Sequence, residues 1–178
     1  MEFAKQMGYE YVLHLDDDTL LVEPIQYSLL NRAKSDGAKL AMLKDSKGQG
    51  LRFVDGLAEF SKDWILKNSF EVHGELLRHF RGNPSEVSHI DPALWDSEYY
   101  AGYFAIVSLD FWFEKHVQSF LHAVLKSGKD IKHRWLEQGV LNMMRLIFVK
   151  KEEFLVLDDF KYLHTRDIKD HAASCQSG

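Results

Sequence analysis

The sequence predicts an α/β fold, in which strands and helices alternate along one chain. Three observations support this prediction. An apolar run over residues 9–15 has the length and composition of a buried strand and leads into consecutive acids. Apolar residues recur at helical spacing over 113–125 and again over 136–147. A run over 99–107, rich in aromatic and β-branched residues, is typical of a strand.

The remaining elements follow in chain order. Residues 2–7 resemble the end of a short helix, and apolar positions between 25 and 33 predict a second helix, with Pro24 in its first turn and Gly37 as its C-cap. A short strand is expected over 39–43, followed by a polar loop over 45–50. Helical spacing returns over about 57–80, with a break around 70–74, and an irregular loop covers 81–96. A last strand is expected over 154–157.

Length and composition indicate one folded domain, which we expect over 1–169, followed by a polar tail over 170–178. The chain has 178 residues, of which 46% are hydrophobic, so it can bury a sizeable core. A net charge of −5 without a lysine- or arginine-rich block argues against a nucleic-acid partner. The single cysteine, Cys175, excludes an internal disulfide and a cysteine metal site. No apolar run reaches the roughly 18 residues of a membrane span, and the first residues do not have the form of a signal peptide.

Three consecutive acids, Asp16, Asp17 and Asp18, directly follow the first predicted strand. Such a strand delivers its carboxylates to the carboxyl edge of the sheet, where open α/β folds bind ligands. Clustered carboxylates repel each other unless a cation lies among them, and a Mn²⁺ or Mg²⁺ ion that bridges substrate phosphates is the usual one. An Asp-x-Asp after an apolar strand is therefore a sign of a nucleotide-sugar transferase. The alternative is a solvated acidic turn.

The same acids allow a second chemistry, that of a phosphatase with an aspartate nucleophile. In that class Asp16 would attack the phosphate, and Asp18 would be the second acid of the motif. Leu20 disfavours this class, because its motif continues with Thr or Val. The pair Asp158-Asp159 after the last predicted strand favours it, because such phosphatases end with a strand that bears paired aspartates.

Two further residues are candidates for the site. Glu137 opens an amphipathic helix, where an acid is favourable simply as an N-terminal charge. It could also bind or deprotonate the hydroxyl of an acceptor. His164, near the end of the chain, is either a surface or packed residue or a metal ligand, and imidazole suits Mn²⁺ better than Mg²⁺.

Five segments in order resemble the fungal-type α-1,2-mannosyltransferases, the family 15 glycosyltransferases. The first is His-Leu-Asp-Asp-Asp-Thr-Leu-Leu at 14–21 with Glu-Pro-Ile at 23–25, where the family has its acidic metal motif. The others lie at 56–64, at 102–112, at 134–137 (Arg-Trp-Leu-Glu, against the family's Arg-Trp-Gly-Asp) and at 160–164, which matches its closing Tyr-x-His. The resemblance spans about residues 3–166. It implies a GT-A-like mixed sheet flanked by helices that lacks the N-terminal nucleotide-binding strands.

The resemblance also implies an activity, a location and a site. The activity is transfer of mannose from GDP-mannose, with retention, to a glycan or glycoprotein hydroxyl, with Mn²⁺ (or Mg²⁺) as cofactor. The location is the lumen of the Golgi and secretory pathway. The site residues that it implies are Asp16, Asp18 and His164 as metal ligands, Asp16, Asp17, Tyr103 and Trp135 as contacts of the donor, and Glu137 facing the acceptor.

The sequence departs from the family at defined positions. Ala105 stands where the family has its candidate nucleophile, a glutamate, so a double displacement through this position is excluded. A front-face mechanism survives, because there the leaving phosphate assists the acceptor. A third interpretation, motivated by Ala105, is a non-catalytic descendant that binds glycans or a partner chain. Because the resemblance implies that the first strands of the fold are absent from this sequence, we also expect an unpaired sheet edge, exposed apolar surface and a tendency to aggregate.

Overall fold

The computed structural model describes residues 1–44, 54–96, 99–135 and 137–164, and for His164 the main chain. The helices are α1 (Glu2–Gln6), α2 (Leu29–Ser35), α3 (Leu57–Lys67), α4 (Leu109–Trp112), α5 (Lys115–Ser127), α6 (Lys129–Lys132) and α7 (Glu137–Phe148). The strands are β1 (Tyr11–Leu15), β2 (Thr19–Leu21), β3 (Leu40–Lys44), β4 (Tyr100–Ser108), β5 (Phe154–Leu157) and β6 (Tyr162–His164). The loop predicted over 45–50 and the tail over 170–178 lie outside the described residues.

Four strands form the main sheet in the order β1-β4-β3-β5. β4 is antiparallel to both β1 and β3, while β5 is parallel to β3. The predicted mixed sheet with flanking helices is therefore confirmed. Because β1, β3 and β5 run in the same direction, their carboxyl ends meet the start of β4 at one edge of the sheet. We call this edge, at Leu15, Lys44, Leu157 and Tyr100, the carboxyl edge.

A small second sheet lies at the carboxyl edge. β2 pairs antiparallel with β6, with Thr19 opposite His164 and Leu21 opposite Tyr162. The Val22 N–H extends this pairing by donating to the carbonyl of Lys161 at 3.1 Å. The Tyr162 ring lies 6.0 Å from the ring of Tyr103 on β4, so the small sheet rests against the main one. The last described strand is thereby fixed next to the residues that follow the acids.

The core consists of two apolar clusters, one on each face of the main sheet. Trp64, Phe120 and Phe148, from α3, α5 and α7, pack with ring centroids 5.3 to 5.8 Å apart on the first face. Leu29 and Ala33 of α2 are buried on the second face. β4 lies between the clusters and is buried from residue 101 to 107. Burial on both faces explains why the strand is a continuous apolar run without alternation.

Two local predictions differ from the structure. Pro24 lies outside α2, which begins at Leu29 because the Ser28 hydroxyl accepts the N–H of Asn31 at 3.2 Å and caps the helix. The helical spacing near 76–80 gives only a 3₁₀ turn at Leu76–His79. Upstream of that turn, the chain packs against the end of α7, where the N–H groups of residues 73 and 74 both donate to the carbonyl of Ile147.

β1 forms one edge of the main sheet. The Asp16 N–H donates to the carbonyl of Tyr103 at 2.9 Å, and the Glu10 carbonyl accepts from the Leu109 N–H at 2.8 Å. The main-chain N–H and carbonyl groups of the even-numbered residues of β1 therefore point toward β4. The N–H and carbonyl groups of the odd-numbered residues therefore point away from the sheet. Leu13 and Leu15 are 41% and 44% exposed. Aggregation through this edge stays a prediction.

Candidate functional site

The three acids lie in a tight turn at the carboxyl edge, which we call the acidic turn (residues 16–19). Its first residue is tied to β4 by the hydrogen bond from Asp16 to Tyr103, and the Thr19 N–H closes the turn by donating to the Asp16 carbonyl at 3.1 Å. Asp17 and Asp18 are exposed, whereas Asp16 is partly buried. The Asp16 Oδ1 atom lies 2.8 Å from the Nε2 atom of His14. The turn therefore presents carboxylates on a fixed main chain.

The register of the small sheet brings β6, the last described strand, to the acidic turn. Thr19, directly after Asp18, is the partner of His164, which places their Cα atoms about 5 Å apart. The Thr19 hydroxyl oxygen is buried and has no hydrogen-bond partner among the described residues. Within the described part of the chain, no group of three or more His, Cys, Asp or Glu side chains is placed to hold a metal ion. Metal binding by Asp16, Asp18 and His164 stays a prediction.

The first turn of α7 is anchored to the start of β4. The buried Asn142 amide accepts the Tyr100 N–H at 2.9 Å and donates to the carbonyls of Tyr100 at 2.7 Å and Gln138 at 2.9 Å. Gly102 allows the close approach, because a Cβ there would lie 2.9 Å from the Gln138 Cγ. Glu137, the first residue of α7, is exposed. These contacts place Glu137 at the end of the sheet that carries the acidic turn, and its contact with an acceptor stays a prediction.

Tyr103 and Trp135, the aromatic residues expected at the donor, are 6% and 4% exposed. The Trp135 indole N–H donates to the carbonyl of Asp55 at 2.6 Å, and its ring packs 5.4 Å from that of Phe60. Arg134 precedes it with a φ of +54°, in the left-handed region that non-glycine residues rarely adopt. Both aromatic side chains thus contribute to packing near the carboxyl edge. Their contact with a donor stays a prediction.

The second pair of acids does not lie next to the acidic turn, where a phosphatase would need it. Asp158-Asp159 follows β5, which is separated from β1 by two strands, or about 14 Å between the strand axes. The two Asp159 oxygens accept hydrogen bonds from Tyr27 and Arg32, both at 2.7 Å. The Tyr27 hydrogen bond and the Arg32 charge hold the pKa of Asp159 below its ordinary value. Asp159 forms an ion pair with Arg32 and lies far from Asp16, which disfavours the phosphatase alternative.

Sequence reasoning missed the cluster formed by Tyr27, Arg32 and Asp159. Arg32 also donates to the Tyr27 hydroxyl at 2.9 Å, and its guanidinium carbon lies 5.5 Å from the centre of the Tyr27 ring. Burial is the main cause that raises the pKa of Tyr27. Beside the cluster lies a cleft of about 450 Å³, the Tyr27 cleft, lined by Glu23, Pro24, Ile25, Gln26, Tyr27, Asp159 and Phe160. No local pattern links the two walls of this cleft, because they come from opposite ends of the chain.

No protein-family model and no curated protein matches the sequence. Among solved structures, the chain is similar to core-mannan synthase A (CmsA/Ktr4) from Aspergillus fumigatus in a Mn/GDP form, with a TM-score of 0.73 and 13% identity over 92% of this chain and 44% of that one. It is also similar to two structures of the mannosyltransferase Ktr4p from S. cerevisiae, one in complex with GDP (TM-score 0.75) and a second one (TM-score 0.74), both at 18% identity over 92% of this chain and 43% of that one. No helix of the described ranges is long and apolar enough to cross a membrane. The chain therefore shares the fold of these fungal mannosyltransferases over most of its own length, and it spans less than half of theirs.

Proposed function

We propose that the protein is a divergent family 15 glycosyltransferase, which transfers a sugar from a nucleoside-diphosphate donor to a glycan hydroxyl in the secretory pathway. By likeness the donor is GDP-mannose, since the similar structures are those of mannosyltransferases with GDP. The observation that carries the proposal is the pairing of Thr19 with His164, which brings β6 to the acidic turn at the edge where such folds bind ligands.

Asp16, Asp18 and His164 would hold a Mn²⁺ or Mg²⁺ ion, and Asp17 would lie near the nucleotide. Two carboxylates and an imidazole suit Mn²⁺ in particular. When bound, the cation would neutralise the charge that develops on the departing diphosphate. The contribution of the chain is to fix the turn, because the Asp16 main chain is tied to Tyr103 and its carboxylate lies next to His14.

On the acceptor side, Glu137 would bind or deprotonate the reacting hydroxyl. An acid is favourable at the start of α7, because the amino end of a helix carries partial positive charge. Ala105 is fully buried in β4 and offers no nucleophile. We therefore propose that retention proceeds on the front face of the sugar, with the leaving phosphate assisting the acceptor.

The test is metal-dependent nucleotide binding. Melting temperatures are measured with Mn²⁺ and a panel of nucleotide sugars for the wild type, Asp16→Asn, Asp18→Asn and His164→Ala. A ligand at 100 times its Kd adds about 2.7 kcal/mol to the free energy of unfolding, so the favoured donor raises the melting temperature by about 5–11 °C. We expect the three variants to lose this shift and the exposed Asp110→Asn control to keep it. An unchanged shift in Asp16→Asn and Asp18→Asn would contradict the proposal.

A second candidate is a glycan-binding protein without transferase activity, which Ala105 favours. It predicts saccharide binding without Mn²⁺-dependent nucleotide binding. Calorimetry with the same nucleotides and a mannose oligosaccharide distinguishes the two, because only a transferase binds both and releases nucleoside diphosphate when they are mixed. Hydrolysis of an aryl phosphate that depends on Asp16 would instead support the phosphatase.

A further inference from the structure

We propose that the Tyr27 cleft is a saccharide-binding subsite that receives a neutral sugar unit of the acceptor, with Tyr27, Glu23 and Asp159 as contact residues and Arg32 as a positioning residue. This inference rests on the proposed function, because it assigns the acceptor side of the same reaction.

The chemistry of the cleft matches a neutral sugar. Its volume of about 450 Å³ falls within the range of about 300–1,000 Å³ that is usual for small-molecule sites. Glu23 and Asp159 offer carboxylate oxygens to sugar hydroxyls, and Tyr27, which is 37% exposed, offers ring surface to sugar C–H groups. Glu23 pairs with Lys161 at 3.8 Å and Asp159 pairs with Arg32 at 2.7 Å, so two cations balance the two acids. The cleft therefore has no excess positive charge that would favour a diphosphate, and it suits an uncharged glycan.

The polar wall of the cleft is preorganised. Each Asp159 oxygen accepts one hydrogen bond, from Tyr27 or from Arg32, and an ionised carboxylate with about four lone-pair sites can accept more. Arg32 also donates to the Tyr27 hydroxyl, so one guanidinium fixes both cleft residues. Groups that are already ordered lose less conformational entropy on binding. Arg32 does not line the cleft and acts through these two residues.

The cleft is connected to the acidic turn by β2. Glu23 lies five residues after Asp18, so their Cα atoms are at most about 17 Å apart. The opposite wall, Asp159 and Phe160, leads directly into β6, and the Phe160 ring packs 5.4 Å from that of Phe104 on β4. A glycan of a few sugar units that is bound in the cleft can therefore reach the acidic turn with one end.

The experiment measures binding of α-1,2-linked mannobiose and mannotriose to the full chain by NMR titration, without nucleotide or metal. We expect Tyr27→Ala to raise the saccharide Kd about tenfold. We also expect clear increases for Glu23→Gln and for Arg32→Lys, which keeps the charge but loses the planar guanidinium and its fixed donor geometry. Lys34→Gln is the matched control, because Lys34 lies on the same helix and pairs with Glu10 outside the cleft.

The variants separate this inference from the proposed function. The Kd for nucleotide with Mn²⁺ should stay constant in Glu23→Gln and Arg32→Lys, and the acceptor KM should rise while the donor KM does not. Melting temperatures confirm that each variant is folded, and Glu23→Gln alters only an exposed side chain. If the wild type binds nucleotide while saccharide binding is absent, or is equal in Tyr27→Ala, Glu23→Gln and Lys34→Gln, the cleft assignment is overturned and the proposed function stands. Loss of saccharide binding in the cleft variants of a chain that binds no nucleotide supports the subsite and overturns the transferase.

Discussion

Replacement of Asn142 tests how the start of α7 is held at the carboxyl edge. Asn142 is 2% exposed, and its amide makes three hydrogen bonds to main-chain groups of Tyr100 and Gln138. At about 1 kcal/mol for each bond, Asn142→Ala lowers the free energy of unfolding by about 3 kcal/mol. For a chain of this size the melting temperature then falls by about 6–12 °C. The position of Glu137 also loosens, so any transfer rate falls further than the loss of folded protein explains.

The assay is thermal and urea unfolding of Asn142→Ala, Asn142→Asp and Asn31→Ala. Asn142→Asp keeps the acceptor for the Tyr100 N–H but places a carboxylate against two carbonyl oxygens, so we expect it to be at least as destabilising as the alanine. Asn31 is exposed on α2, and its replacement changes the free energy of unfolding by no more than about 0.5 kcal/mol. A decrease in melting temperature below about 2 °C for Asn142→Ala would refute the reasoning, because the three bonds would then contribute almost nothing.

Three further predictions concern stability. Gly74→Ala places a Cβ 2.3 Å from the Leu146 carbonyl oxygen, and because main-chain atoms cannot easily move away, urea unfolding should show a loss of about 2 kcal/mol. The pKa of Asp159 is lowered chiefly by its hydrogen bond from Tyr27, so its ionised form stabilises the fold above the unfolded-state value near 3.9. That stabilisation is lost as the pH falls through the lower folded value, and the difference in melting temperature between Asp159→Asn and wild type should close below about pH 4; a constant difference would contradict this. Asp110→Asn breaks an exposed pair with a lysine of α1, and denaturant titration should show a change within about 0.5 kcal/mol.

The elements that the sequence predicts well are those with a local signal. The stripe Val117, Phe120 and Val124 predicts α5, and Gly128 ends it with a φ of +62° in the left-handed region. The helical spacing around Leu76 predicts a longer helix than forms, because the segment before it is fixed by main-chain contacts with α7. Such contacts join residues that are distant in sequence, so no pattern of neighbouring residues predicts them.

In the candidate site, too, the features that depend on adjacent residues could be predicted, whereas the contacts between distant residues could not. An apolar strand that runs into acids predicts their place at the carboxyl edge, and this depends only on adjacent residues. The pairing of Thr19 with His164 joins two strands of three residues each, which are too short to show an alternating pattern. The partners of Asp159 were missed because an arginine on α2 and an acid after β5 meet only in the folded chain. The position of this acid and its neighbour directly after a predicted strand instead indicated a phosphatase motif.

The pairing of β2 with β6 has a consequence for biosynthesis. During translation, residues 19–21 leave the ribosome long before residues 162–164 exist, so β2 waits for its partner until about 140 further residues have been made. Contacts so distant in sequence form slowly, because a large loop must be closed first. The nascent polypeptide therefore completes the pairing beside its acidic turn only after β6 has been made, and a truncation before Tyr162 leaves β2 without its partner.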